Sequence, residues 1–242
     1  MSKKTIIFSI VLILGVIFFE SKIFRDELEK SVTIPEEVET QMIAETAIES
    51  KEQKVEEKWI ISTYDEMMQR IGKEEGQDWL LMSAIAYSES RFKSNLISKQ
   101  GAIGLMQVMP IVGRHFNVEK EAIADPETNI RLASKLLKQI DKTLKISPST
   151  PIEDRLSIIL ACYNGGIGHV SDARRLAKSN GENPNSWDVV AHYLKQKADP
   201  AVYESELVRH GKFTGSRQTE AYVREVMKRY DVYRQMVNGK QI

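Results

Sequence analysis

From Trp59 onward the apolar positions recur three and four residues apart, the spacing that lines one face of an α-helix. Ile60, Tyr64, Met67 and Ile71 form a first stripe, which Gly76 ends before Asp78 caps a second helix. In that second segment Leu81, Ile85, Glu89 and Phe92 share a face by spacing, so an apolar stripe carries one carboxylate. The pair Asp125-Pro126 predicts a helix start with proline in the first turn, leading into Ile130, Ala133, Leu137, Ile140 and Leu144. Leu156, Ile159, Leu160 and Tyr163 mark another helix, which Asn164-Gly165-Gly166 stops. A last helix places Tyr222, Val226, Tyr230, Tyr233 and Val237 on one side. Strand-like alternation is nearly absent, and there is no internal repeat. The pattern predicts a compact, mainly α domain over residues 59–242.

The first 58 residues read differently. Lys3 and Lys4 precede an uncharged apolar run from Thr5 to Phe19. At 1.5 Å per residue it reaches about 22 Å, short of a ~30 Å hydrocarbon core. Its length suits a signal sequence, yet Phe18-Phe19-Glu20-Ser21-Lys22 offers no small-residue cleavage site, and no cysteine follows for a lipid anchor. Ile23 and Phe24 extend the run, with Lys22 snorkelling. The expectation is an uncleaved membrane anchor over residues 1–24, with Lys3 and Lys4 inside and the remainder exported. Residues 25–58 are charged, glycine-free and contain Pro35, the composition of a solvated tether or a loose helical stalk.

Charge and cysteine narrow the chemistry. Formal net charge is zero, with twelve acidic and six basic residues over positions 20–58 and a diffuse basic excess beyond. No Lys/Arg run interleaves with aromatics, so nucleic acid is not an expected partner. The single cysteine, Cys162, rules out an internal disulfide and any CxxC site. His115, His169, His192 and His210 lack the pairing of a zinc helix, and neither a Gly-x-Ser-x-Gly elbow nor a phosphate loop occurs. No metal or cofactor is expected.

Glu89 is the candidate acid. A carboxyl on an apolar stripe, close to the glycine-punctuated Gly101–Pro110 stretch, has the surroundings that raise a pKa toward neutrality and make a general acid. The plain alternative is a glutamate paired with a Lys or Arg of another helix.

Taken in order, Glu89-Ser90, Gly104-Leu105-Met106-Gln107, Asp125-Pro126, Asn129-Ile130, Ala161-Cys162-Tyr163-Asn164-Gly165-Gly166, Asp172-Ala173-Arg174 and Thr219-Glu220-Ala221-Tyr222-Val223 resemble the soluble-lytic-transglycosylase (SLT) domain, a goose-lysozyme-like fold. The likeness spans roughly residues 60–235. The Trp187 region and the tyrosine-rich last helix look most like the membrane-bound lytic murein transglycosylase F type.

The resemblance implies a lyase acting on peptidoglycan in the cell envelope, its catalytic domain in the periplasm and its N-terminal segment in the inner membrane. Such enzymes cleave the β-1,4 bond between N-acetylmuramic acid and N-acetylglucosamine and leave a 1,6-anhydro end. Glu89 matches the family's single acid, which then serves as base. The substrate-binding positions it implies are Ser90, Ser98, Gln107, Met109, Tyr163, Asn164, Gln218 and Tyr222. Gln218 stands where members commonly carry Glu, Cys162 replaces an alanine, and Ala133 stands where glycine is frequent. Met109 and Tyr222 also lie on apolar stripes, where core packing is the ordinary role. Two other functions fit the same residues: a lysozyme-type hydrolase using water, and a non-catalytic, membrane-tethered glycan-binding module.

Overall fold

The computed structural model describes residues 61–239. The anchor expected over 1–24 and the tether over 25–58 lie outside the described residues. In chain order the helices are α1 (Asp65–Glu75), α2 (Trp79–Ser90), α3 (Pro110–His115), α4 (Pro126–Leu144), α5 (Ile152–Gly165), α6 (Ile167–Ser179), α7 (Trp187–Gln196), α8 (Pro200–Tyr203) and α9 (Ser216–Asn238). A 3-10 turn, Lys120–Ala124, precedes α4. Among the described residues there is no strand, only two isolated antiparallel bridges, Ile97 with Ile103 and Ile103 with Val108. The mainly α expectation holds. Among the described residues no helix is long and apolar enough to cross a membrane.

The helix ends follow the local chemistry. Gly76 closes α1 in the left-handed region at φ 70°, where a Cβ would be strained. The Asp78 carboxylate accepts from the Leu80 N–H at 2.8 Å and satisfies an orphan donor at the start of α2. Asp125 does the same for α4, accepting from the Thr128 N–H at 2.9 Å, with Pro126 in the first turn. Helix α5 runs through Asn164 and Gly165 and stops at Gly166, φ 93°.

Two helices form the centre. Leu80 through Ala86 of α2 and Ser157 through Cys162 of α5 are buried without a break. A helix buried all round has no single apolar stripe, so the one-sided reading of α2 is corrected: Leu81 and Ile85 are inside, but so are Met82, Ala84 and Ala86. Phe92 is also corrected. It lies beyond α2, after Arg91, and both residues have positive φ (61° and 55°). Its ring meets Tyr87 edge-on instead of extending the helix face.

The remaining helices wrap this pair. Helix α4 packs on α1 and α5 through the predicted stripe Ile130, Ala133, Leu137, Ile140 and Leu144, all buried. Helices α6 and α7 pack on each other and on α5. The 23-residue α9 lies against both α2 and α5. It is tied to both ends of α2: the Tyr230 hydroxyl donates to Asp78 Oδ2 at 2.5 Å, and Arg91 Nη1 donates to Glu225 Oε1 at 2.8 Å. Arg174 closes the far side, donating to the Leu144 and Pro184 carbonyls and to Asn185 Oδ1 at 2.7–2.9 Å. Ala133 and Cys162 are core residues, and burial pushes the Cys162 thiol well up.

Candidate active site

The site is built on the turn after α2. Gly104 has φ 79°, and a Cβ there would sit 2.6 Å from Asn129 Nδ2, so glycine is required for both backbone shape and space. The fully buried Asn129 side chain accepts from the Met106 N–H at 2.8 Å and donates to the Ile103 and Ile123 carbonyls at 2.8 and 2.9 Å. From α2, the Ser90 hydroxyl bonds to the Leu105 carbonyl at 2.8 Å. From α5, the Tyr163 hydroxyl donates to the Met106 carbonyl at 2.6 Å. Three helices therefore hold the backbone of residues 103–106 through side chains that satisfy its buried polar groups.

This anchoring presents Gln107 at φ 49°, an uncommon conformation for a residue other than glycine. Its amide nitrogen donates to the Leu96 and Gly104 carbonyls at 3.1 and 2.9 Å. Both amide hydrogens are thus committed, and the amide oxygen is left as the acceptor for a ligand.

A cleft of about 390 Å³ opens here, lined by Glu89, Ser98, Gln107, Met109, Tyr163, Asn164, Gln218 and, among others, Phe213, Gly165 and Thr219. Glu89 reaches it from the last turn of α2 and is partly buried. Burial disfavours the ionised carboxyl and pushes its pKa up to about 7, against a smaller lowering by the Tyr222 hydroxyl. That hydroxyl is buried, and Glu89 is the group it influences. Burial, reinforced by the charge of Glu89, raises both Tyr163 and Tyr222 well above the usual phenol range. Both phenols stay protonated beside the carboxyl.

Among the described residues no second acid lines the cleft. Asp125 is a cap, Glu127 pairs with Arg70 and Arg131, Asp141 pairs with Arg155, and Asp154 accepts from the Trp187 N–H. Glu119, Glu121 and Glu153 are exposed. Among the described residues no Lys or Arg pairs with Glu89, the plain alternative: burial and a phenol are what shift it. A larger groove of about 500 Å³ between α7 and α9, lined by Trp187, His192 and Arg224, does not include Glu89.

The other sequence candidates divide. Ser98 sits on the rim, its hydroxyl accepting from the Ala102 N–H at 3.0 Å, and Met109 is 39% exposed beside it. Asn164 is exposed and accepts from the Thr219 hydroxyl at 3.0 Å. Gln218 is exposed at the cleft edge. Ser90 does not line the cleft. It is buried, with its hydroxyl between the Ala86 and Leu105 carbonyls, because the turn's backbone needs that donor. Tyr222 acts on the acid but does not line the cleft either. Sequence reasoning missed Phe213, which lines the cleft from an irregular loop, and the role of Asn129. Asn129 stands in the sequence only as part of the Asn129-Ile130 motif of the resemblance, which says nothing of the backbone groups it holds.

Comparison with known proteins places this architecture. The model of the Transglycosylase SLT domain family matches residues 66–186, half of the chain. Membrane-bound lytic murein transglycosylase F of Alcanivorax borkumensis is 34% identical over 169 residues, covering 70% of this chain and 35% of that protein. The protein of the same name from Marinobacter nauticus is 31% identical over 171 residues, 70% of this chain and 32% of its own length. The chain thus spans about a third of the curated relatives it matches. The solved structure of an inactive mutant of lytic transglycosylase Slt from Pseudomonas aeruginosa superposes with a TM-score of 0.50 at 24% identity, over 74% of this chain and 25% of that one, a likeness of fold. With the family model running through the stretch that holds Glu89, Gln107 and Tyr163, the chain belongs to the transglycosylase SLT domain family.

Proposed function

We propose that the protein is a peptidoglycan lytic transglycosylase in which Glu89 acts first as acid and then as base. The observation that carries this reading is a carboxyl in a sugar-sized cleft, pushed up to about 7 by burial and with no second acid among the described residues that line it. A glutamate of pKa near 4.5 is roughly 0.3% protonated at pH 7, whereas one near 7 is about half protonated. Both protonation states needed for a proton shuttle are then populated.

In the proposed reaction Glu89 protonates the oxygen that links muramic acid C1 to the departing N-acetylglucosamine. The C1–O bond breaks through an oxocarbenium-like state. The resulting carboxylate takes the proton of the muramic C6 hydroxyl as that oxygen bonds to C1, which closes the 1,6-anhydro ring and restores the acid. One carboxyl suffices because no water is activated. Gln107 Oε1, the Ser98 hydroxyl and the exposed Asn164 and Gln218 amides are the groups that would receive sugar hydroxyl and acetamido groups, and Met109 packs on a sugar face. Tyr163 and Tyr222, kept neutral, tune the acid.

The relatives named membrane-bound support the reading of residues 1–24 as an inner-membrane anchor and 25–58 as a tether, which would hold the domain in the periplasm. The decisive experiment digests purified sacculi and weighs the products. Muropeptides ending in 1,6-anhydromuramic acid are expected. Reducing ends would mean that water attacks C1 and the protein is a hydrolase; no products at all would leave a glycan-binding module.

A further inference from the structure

The loop between α8 and α9 has no regular structure, yet side chains of α6 and the Lys197 carbonyl hold its backbone at several points. Asp172 of α6, with no exposed side-chain surface, accepts from Lys197 Nζ at 2.7 Å and from Arg175 Nη1 at 2.7 Å. It also accepts from the backbone N–H groups of Arg209 and His210 at 3.1 and 2.8 Å. Arg175 donates in addition to the Leu207 carbonyl at 2.5 Å, and the Phe213 N–H donates to the Lys197 carbonyl at 3.0 Å. Lys197, itself without exposed surface, lies 3.1 Å from His169 Nδ1. The His169 ring covers Phe213 at 4.6 Å between centroids and 30° between planes.

The effect of all these bonds falls on one ring. Phe213 lines the cleft beside Gly165 and Thr219. Two glycines make room for it: a Cβ on Gly165 or on Gly215 would come within 3.1 Å of Phe213 Cζ. A third, Gly168, lies under His210, where a Cβ would fall 2.4 Å from the imidazole. Any side chain at these positions would push the loop or its rings aside. With one face against His169, only the other face and the edge of Phe213 are left for a ligand.

We infer that Phe213 is a sugar-stacking residue of the cleft and that the buried Asp172–Lys197 pair is the positioning device that sets its ring. A pyranose presents a C–H face, which an aromatic face binds, while its rim of hydroxyl and acetamido groups calls for the amides and hydroxyls that Gln107, Ser98 and Asn164 bring to the same cleft. A buried ion pair is a poor source of net stability, because desolvation offsets its attraction, and geometric definition is what it supplies here. This inference rests on the reading of the cleft as a glycan site.

The test is sedimentation of the full chain with purified sacculi, in the Glu89→Gln background so that the glycan is bound and not cut. Adding Phe213→Ala is expected to weaken binding about tenfold, and Phe213→Tyr to restore it. Phe213→Leu, which keeps bulk but has no flat face, is expected to weaken binding with its melting temperature retained. Lys197→Met and Asp172→Asn, measured well below their melting temperatures, are expected to weaken binding while the ring itself is intact. If Phe213→Ala and Phe213→Leu bind as tightly as the Glu89→Gln parent, the stacking role is wrong although the glycan site stands. Unchanged affinity in both Lys197→Met and Asp172→Asn overturns the positioning role. A Glu89→Gln parent that binds no sacculi removes the glycan site and this inference with it.

Discussion

Glu89 and Asp172 are both carboxylates taken out of water, and the fold treats them in opposite ways. Around Glu89 burial disfavours the charge and only the Tyr222 hydroxyl opposes it, so burial prevails and the pKa climbs to about 7. Around Asp172 burial pushes in the same direction, but Lys197, Arg175 and two backbone N–H groups outweigh it and hold the carboxyl well below the usual range. Burial alone therefore does not make a catalytic acid. Withholding partners does, and the two regions show the two outcomes within one domain.

The comparison can be broken most severely at Glu89. Glu89→Gln is isosteric and should reduce release of muropeptides from sacculi by roughly 10³-fold, the scale of a lost general acid, with the far-ultraviolet circular dichroism unchanged. Near-parental turnover would remove the mechanism. The next largest effect is expected in the other region. Lys197→Met leaves Asp172 buried with its strongest partner gone and should cost about 3–5 kcal/mol in urea unfolding. Because the folded pKa of Asp172 is depressed, its contribution is present above the unfolded value of about 3.9 and is lost as pH falls below that, so the deficit of Asp172→Asn should shrink in acid.

For Glu89 the sign reverses. Its folded pKa lies above the unfolded one, so its proton favours the folded state at low pH, and that advantage is lost as pH rises through about 7. Glu89→Gln should accordingly be more stable than the parent at pH 8, by up to about 3 kcal/mol, and no more stable near pH 4. Equal stabilities at pH 8 would show that the carboxyl is solvated. The parent's kcat/KM should likewise fall above about pH 7, as the acid form is lost. The smallest effect is expected from Tyr163→Phe, which leaves the Met106 carbonyl without its donor: about 1–2 kcal/mol of stability. A neutral result there would mean that the turn is held sufficiently by Asn129 and Ser90.

Legibility in the sequence tracked the range of the interactions. Asp78, Gly76 and Asp125-Pro126 act on atoms two to four residues away, so their helix ends could be read directly. The α4 stripe was equally clear, because a one-sided helix leaves a periodic trace. The central helices were read less well: α2 and α5 are buried all round, and nothing in such a run says which face meets which neighbour. The resemblance puts Ser90 in the cleft, whereas its hydroxyl is drawn inward by the Leu105 carbonyl, fifteen residues away. Phe213 left no trace, since it belongs to no periodic segment and owes its position to Asp172 and Lys197.

The amino-acid order determined that this chain is helical, where most helices begin and end, and that one carboxylate sits among apolar residues. Those outcomes depend on propensity, capping and periodicity, which operate over a turn or two of backbone. Only the tertiary structure decided that, among the described residues, charged partners gather on Asp172 and not on Glu89, and that a loop ring completes the cleft. The energy of a buried charge depends on every group within a few ångströms, and those groups come from α2, α5, α6, α9, the Lys197 that follows α7 and the loop before α9 at once.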